Sequence, residues 1–148
     1  MSERMNVSIR LESRQDGAVQ VSEHRGELFR KDRSIYIRYE ESIEGEAKAE
    51  PIRSLIRYRQ GELLITRRGA VDSEQLFAVG GRRAGRYRSP FTSFPMETET
   101  KRLAFHAEDA AAGESAEPPF TIEWNYDLWI EEHLSGQFHI RLHIQGEQ

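Results

Sequence analysis

The sequence predicts an all-β chain folded as a single antiparallel, closed β-barrel of about eight to ten strands. Three observations predict it. Apolar and polar residues alternate with a period of two along most of the chain, turn residues interrupt the alternation at short intervals, and no segment keeps a helical period for more than a turn or two. Each such strand has one dry face and one wet face. Left as an open sheet, so many half-dry strands would expose two edges that invite aggregation, and closure removes both. An interior of eight strands is just wide enough to be filled by side chains or to hold one small ligand. A two-sheet sandwich is the alternative architecture.

The first strand carries Val7, Ile9 and Leu11 against Ser8, Arg10 and Glu12, and Asp16-Gly17 follows as a turn. After a turn at Asp32, Ile35, Ile37 and Tyr39 alternate with Tyr36, Arg38 and Glu40. Gly45 marks the next break. A two-residue turn at Gln60-Gly61 places Tyr58 opposite Leu63, Ile56 opposite Ile65 and Ser54 opposite Arg67, which gathers the apolar pairs on one face. Gly69, Gly80-Gly81 and Ser89-Pro90 punctuate the following strands, and then Phe94, Met96 and Thr98 alternate with Pro95, Glu97 and Glu99. The stretch 107–119, rich in Ala, Glu and Pro, has no apolar period and is expected to be a flexible surface loop, with a short helix at Asp109 to Ala112 as an option. Ile122, Trp124, Tyr126, Leu128 and Ile130 share one parity, as do Phe138, Ile140, Leu142 and Ile144. A turn centred on Leu134 would pair Ile130 with Phe138, Leu128 with Ile140 and Tyr126 with Leu142.

The 148 residues fit one domain, 1–148, and a chain of this size buries roughly 70% of its unfolded surface without staples. It contains no cysteine, so neither disulfides nor thiolate chemistry enter. The start is polar, no apolar run approaches the ~18 residues of a membrane span, and a soluble cytoplasmic protein is expected. Twenty-one basic residues stand against twenty-five acidic ones, a net of −4, which disfavours a dedicated DNA binder.

The order of several short motifs resembles the YwiB-like family of uncharacterised bacterial proteins. They are Tyr39-Glu40-Glu41-Ser42, Arg67-Arg68-Gly69, Phe77, Gly85-Arg86-Tyr87-Arg88-Ser89-Pro90, the strand at 98–100, Trp124-Asn125-Tyr126-Asp127-Leu128 and Ile140-Arg141-Leu142-His143-Ile144. The resemblance covers nearly the whole chain. Where that family has a Thr-Pro-Tyr-Gly-like turn, this chain has Ser89-Pro90-Phe91-Thr92. The resemblance implies a calycin-like barrel and brings no activity or catalytic residues.

Catalytic signatures are missing: the chain has neither a Gly-x-Ser-x-Gly elbow nor a phosphate loop, so an enzyme is not expected, and no cofactor is implied. His139 and His143 share a strand face but lie about 13 Å apart at ~3.3 Å per residue, too far for one metal. His24, His106 and His133 fall in expected turns. Glu97 and Glu99, about 7 Å apart, have an inverting-glycosidase spacing but share the wet parity. The segment 53–88 holds nine arginines against Glu62, Asp72 and Glu74, a local net of +6 that leaves −10 for the rest. Arg57, Arg59, Arg86 and Arg88 would form an outer basic stripe for RNA or a protein partner; alternatively the nine arginines pair across strands, with Glu40, Glu97 and Glu99 as partners. Arg67 is the local anomaly, because it shares parity with Leu63 and Ile65 and should point inward, as should Glu41. The leading expectation is a ligand-binding barrel, with an amphipathic or anionic small molecule held between Tyr58, Met96, Trp124 and Tyr126 and its head fixed by Arg67 beside Glu41.

Overall fold

The computed structural model describes residues 4–41, 51–107 and 117–147. These form ten strands: β1 (Met5–Gln15), β2 (Ala18–Lys31), β3 (Ser34–Glu41), β4 (Ile52–Arg59), β5 (Glu62–Arg68), β6 (Asp72–Phe77), β7 (Arg82–Arg88), β8 (Ser93–Ala107), β9 (Phe120–Ile130) and β10 (His133–Gly146). Each strand pairs antiparallel with its sequence neighbours, and β10 returns to β1, so the alternating strands close as an up-and-down barrel and not a sandwich. Among the described residues no helix is long and apolar enough to cross a membrane. The loop expected over 107–119, with its short helix, and the break at Gly45 lie mostly or wholly outside the described residues.

The alternation sorts side chains as expected. Val7, Ile9, Ile35, Ile37, Ile56, Leu63, Ile122, Trp124, Leu142 and Ile144 are buried. Each fully buried aliphatic side chain of this size contributes about 1.5–3 kcal/mol. Aromatic rings fill the interior toward the hairpin that joins β4 to β5. Phe105 lies 5.0 Å from Tyr58 and 4.9 Å from Phe120, and Phe77 lies 5.6 Å from Trp124 and 4.7 Å from Tyr126.

The β4–β5 hairpin has the expected register, with Ser54, Ile56 and Tyr58 opposite Arg67, Ile65 and Leu63. The β9–β10 hairpin does not. Its turn is Glu131-Glu132, both at positive φ, and Phe138 faces Tyr126, Ile140 faces Trp124 and Leu142 faces Ile122. The offset is four residues, an even number, so the apolar face is as expected while every partner differs. A two-residue turn with left-handed backbone matches the twist of its strands and prevails over the Leu134 alternative. A bulge with no sequence signature sits at Ser135, between Leu134 and Gly136, so Gly136 lies inside β10 and is not a turn residue. A second bulge in β8, at Lys101, moves the inward parity from Thr98 and Thr100 to Leu103 and Phe105.

Candidate binding site at the polar end of the barrel

The inward stripes become polar at the end opposite the aromatic core. Cross-strand register aligns Tyr39 with Ser54, Ser54 with Arg67, and Arg67 with Ser73, and Gln75 follows on the same face of β6. Arg67 Nη2 donates to Glu41 Oε2 at 3.0 Å. His24 Nε2 lies 3.9 Å from Glu41 Oε1, and its ring stacks on Tyr39 at 4.6 Å. His24 is therefore a strand residue with partners, not the turn residue its sequence context suggests. The side chains of His24, Glu41 and Arg67 retain 16%, 23% and 32% exposure, so the cluster is reachable from solvent. Burial first, and the Glu41 carboxylate second, push the Tyr39 phenol above its ordinary range. Here β2 pairs with β3 from Gly26 to Lys31, and among the described residues Ala18 to Arg25 pair with β1 alone.

The expected ligand residues are divided by the fold. Arg67 and Glu41 meet. Met96 and Tyr126 lie deeper and share Gln75, whose amide reaches Met96 Sδ at 3.9 Å. Tyr126 is pushed up to about 12 by burial, against which the Gln75 amide acts. Trp124, 1% exposed, packs on Phe77, and Tyr58 lies against Phe105 toward the other end. Arg67 and Glu41 thus meet directly, Met96, Tyr126 and Trp124 are linked through Gln75 and Phe77, and Tyr58 packs on Phe105.

The arginine-rich outer wall is a lattice of alternating charges. Arg57 pairs with Glu62 at 3.0 Å, Arg88 with Asp72 at 2.9 Å and Arg86 with Glu74 at 3.8 Å, while Arg59 is exposed. The expected partners were Glu40, Glu97 and Glu99. Of these, Glu97 approaches Arg82 at 3.9 Å and Glu99 approaches Lys101 at 3.3 Å. Local strand register, which sequence charge counts do not contain, selects the nearer carboxylates.

One polar cluster has no sequence signature. Glu123, on the outer face of β9, is 7% exposed. Its Oε2 accepts from Arg141 Nε at 2.9 Å and also meets His139, while His106 lies 3.3 Å from Oε1. His106 is thus also a partnered strand residue, and His133 opens β10. The two imidazoles address different oxygens of one carboxylate, and among the described residues no group of three such side chains could hold a metal. Glu123, at the wet parity, gives no signal because its donors come from β8 and β10, which only register brings alongside.

The Arg141 hydrogen bond, then those of His139 and His106, hold the Glu123 carboxyl at about 2 despite its burial. A carboxyl lowered in the folded state stabilises above its unfolded pKa, and that contribution is lost as pH falls from about 4.5 to about 2. Glu123→Gln is expected to cost about 1–2 kcal/mol at neutral pH, because half-exposed donors weaken the charged hydrogen bonds. Urea midpoints of both proteins should converge as pH approaches 2, and a constant gap down to that pH would refute the assignment.

The family model described as "Domain of unknown function (DUF1934)" matches residues 6–142. The chain is 29% identical over 90 residues to the uncharacterized beta-barrel protein YwiB of Bacillus subtilis (strain 168), an alignment spanning 60% of this chain and 61% of that protein's length. The crystal structure of the ywiB protein from Bacillus subtilis matches with a TM-score of 0.71 and 22% identity, covering 99% of this chain and 94% of that one. That likeness shows the fold.

Proposed function

The chain belongs to the DUF1934 family, a domain of unknown function, and from its geometry we propose that it is a small-molecule-binding barrel of the cytoplasm and not an enzyme, taking an anionic or amphipathic ligand into the polar end of its interior. One observation carries this reading. Arg67 Nε, on β5 opposite Ser54 of β4, is buried without a hydrogen-bond partner. A buried polar atom left unpaired costs about 1–3 kcal/mol, and a ligand carboxylate or phosphate oxygen would satisfy it. Arg67 keeps Nη2 on Glu41, and His24 gives that carboxylate a second neighbour. Among the described residues β2 has no β3 partner before Gly26, which leaves room beside the cluster for an apolar tail. The second reading, RNA or protein binding on the arginine wall, draws less support, because Arg57, Arg86 and Arg88 already face carboxylates.

The test uses decanoate, an anion with a flexible tail, and inorganic phosphate, an anion without one. At about tenfold excess over its Kd, a ligand stabilises by about 1.4 kcal/mol, readable as a rise in Tm. Decanoate should raise the Tm of the natural chain and leave that of Arg67→Met unmoved. Arg67→Met is itself expected to cost about 1–2 kcal/mol, less than a fully buried pair, and Glu41→Gln in the same chain should recover part of it. An equal decanoate shift in both proteins would remove Arg67 from the site, and no shift from either anion would count against the proposal.

A further inference from the structure

We propose that a second site, independent of the Arg67 end, binds a neutral polyhydroxylated ligand, a mono- or disaccharide. It is a cleft of about 450 Å³ between the β1–β2 turn and the outer edge of β8, β9 and β10. That volume lies within the range of about 300–1,000 Å³ usual for small-molecule sites.

Both bulges of the barrel serve this place. The β8 bulge pushes Lys101 out of the alternation and onto the cleft, and the β10 bulge ends at Gly136. A Cβ at Gly136 would stand 2.7 Å from Phe138 Cε2 and 3.0 Å from Gln15 Nε2, so a side chain here would push the Phe138 ring out of its place in the wall. Bulges in barrels commonly re-aim side chains at functional sites. Here Phe138 stacks on Tyr126 at 5.0 Å and supplies an apolar floor.

The polar lining identifies the ligand class. Asn125 Oδ1 is buried without a hydrogen-bond partner and requires a donor. Asp127 accepts from Gln137 Nε2 at 3.3 Å and lies 3.9 Å from Lys101 Nζ. Arg14 faces the cleft with no ion pair among the described residues. Two cations, Arg14 and Lys101, match two carboxylates, Asp16 and Asp127, and His139 completes the polar lining, so the cleft has no excess of fixed charge of either sign. A carboxylate brings acceptors alone and leaves Asn125 Oδ1 unsatisfied, and both a carboxylate and a phosphate face Asp127 with a like charge. An ammonium group would meet Arg14 and Lys101. Separate sugar hydroxyls donate to Asn125 and Asp127 and accept from Arg14 and Gln137, while the C–H face of the ring covers Phe138.

Nuclear magnetic resonance titrations of the natural chain with maltose and glucose test this, with inorganic phosphate as the anionic arm. The expected result is saturable shifts of the Asn125, Gln137 and Lys101 signals with at least one sugar and none there with phosphate. Asn125→Ala should weaken sugar binding at least tenfold, and Asn125→Asp, which keeps the acceptor, should restore most of it. Arg67→Met should leave sugar binding unchanged, which separates this site from the one proposed above. Arg14→Gln, on the solvent face, gives a second reading, with an expected loss of several-fold. No saturable shift with either sugar, shifts centred on Arg67, or phosphate binding in the cleft without sugar binding would each overturn the proposal.

Discussion

Trp124→Ala is expected to lower unfolding stability by about 3–5 kcal/mol, the cost of emptying a large aromatic site in a packed interior. The indole is 1% exposed, lies 5.6 Å from the Phe77 ring and belongs to the continuous core with Ile122, Ile140 and Leu142. Those neighbours project from strands held in register on both sides, so they cannot collapse into the vacated volume. A domain with about 5–15 kcal/mol of total stability would lose a large share of it. Trp124→Phe should be much milder, at about 1 kcal/mol, because it also deletes a buried N–H that has no acceptor. Guanidinium unfolding of the three proteins measures both steps. A loss below about 1 kcal/mol for Trp124→Ala would mean that the interior at this depth is not packed. It would also reopen the centre of the barrel, and not its polar end, as the place for a ligand.

Gly26→Ala is expected to destabilise by about 2–3 kcal/mol, although the position is neither apolar nor at a turn. A Cβ there would stand 2.2 Å from the Arg38 carbonyl oxygen, 3.0 Å from Ile9 Cδ1 and 3.1 Å from Tyr39 Cβ. The oxygen belongs to backbone, so β2 or β3 must move. Gly26 pairs with Tyr39 at the last rung joining β2 to β3, and His24 is two residues away. Displacing this rung should therefore also separate His24 from Tyr39 and Glu41, visible as a change in the His24 ring signals. Gly17→Ala is the control. Gly17 has a φ of +81°, and a Cβ added there would meet nothing within 4 Å, so the only cost is left-handed backbone, about 1–2 kcal/mol. If Gly26→Ala cost no more than Gly17→Ala, the close approach of β2 and β3 would be wrong.

The polar end is partly legible in the sequence alone. Arg67 stands out because it continues the parity of Leu63 and Ile65, and Glu41 because it continues that of Ile37 and Tyr39. Their hydrogen bond realises both parities. His24 reads as a turn residue because β2 has weak alternation: Val19, Val21 and Ser22 are all exposed where, among the described residues, the strand has no β3 partner, so no dry face is selected there. The cleft at Asn125 is illegible because it depends on two bulges, and neither Lys101 nor Ser135 differs chemically from an ordinary strand residue.

By itself the sequence determined which side of each regular strand is dry, that the chain is all β, and that a Gln60-Gly61 turn locks β4 onto β5. These follow from local chemistry, since burial favours one parity and glycine admits the positive φ of a tight turn. Only the tertiary structure decided that Ile140 meets Trp124 in place of Leu128, that Glu123 gathers His106, His139 and Arg141, and that the cleft forms beside Asn125. The reason is the period of the strand. A pattern that repeats every two residues is unchanged by a slip of two or four, so it fixes the face and leaves the partner open. Partners are chosen when turn geometry, bulges and the closing pair of β1 with β10 must all be satisfied by one arrangement.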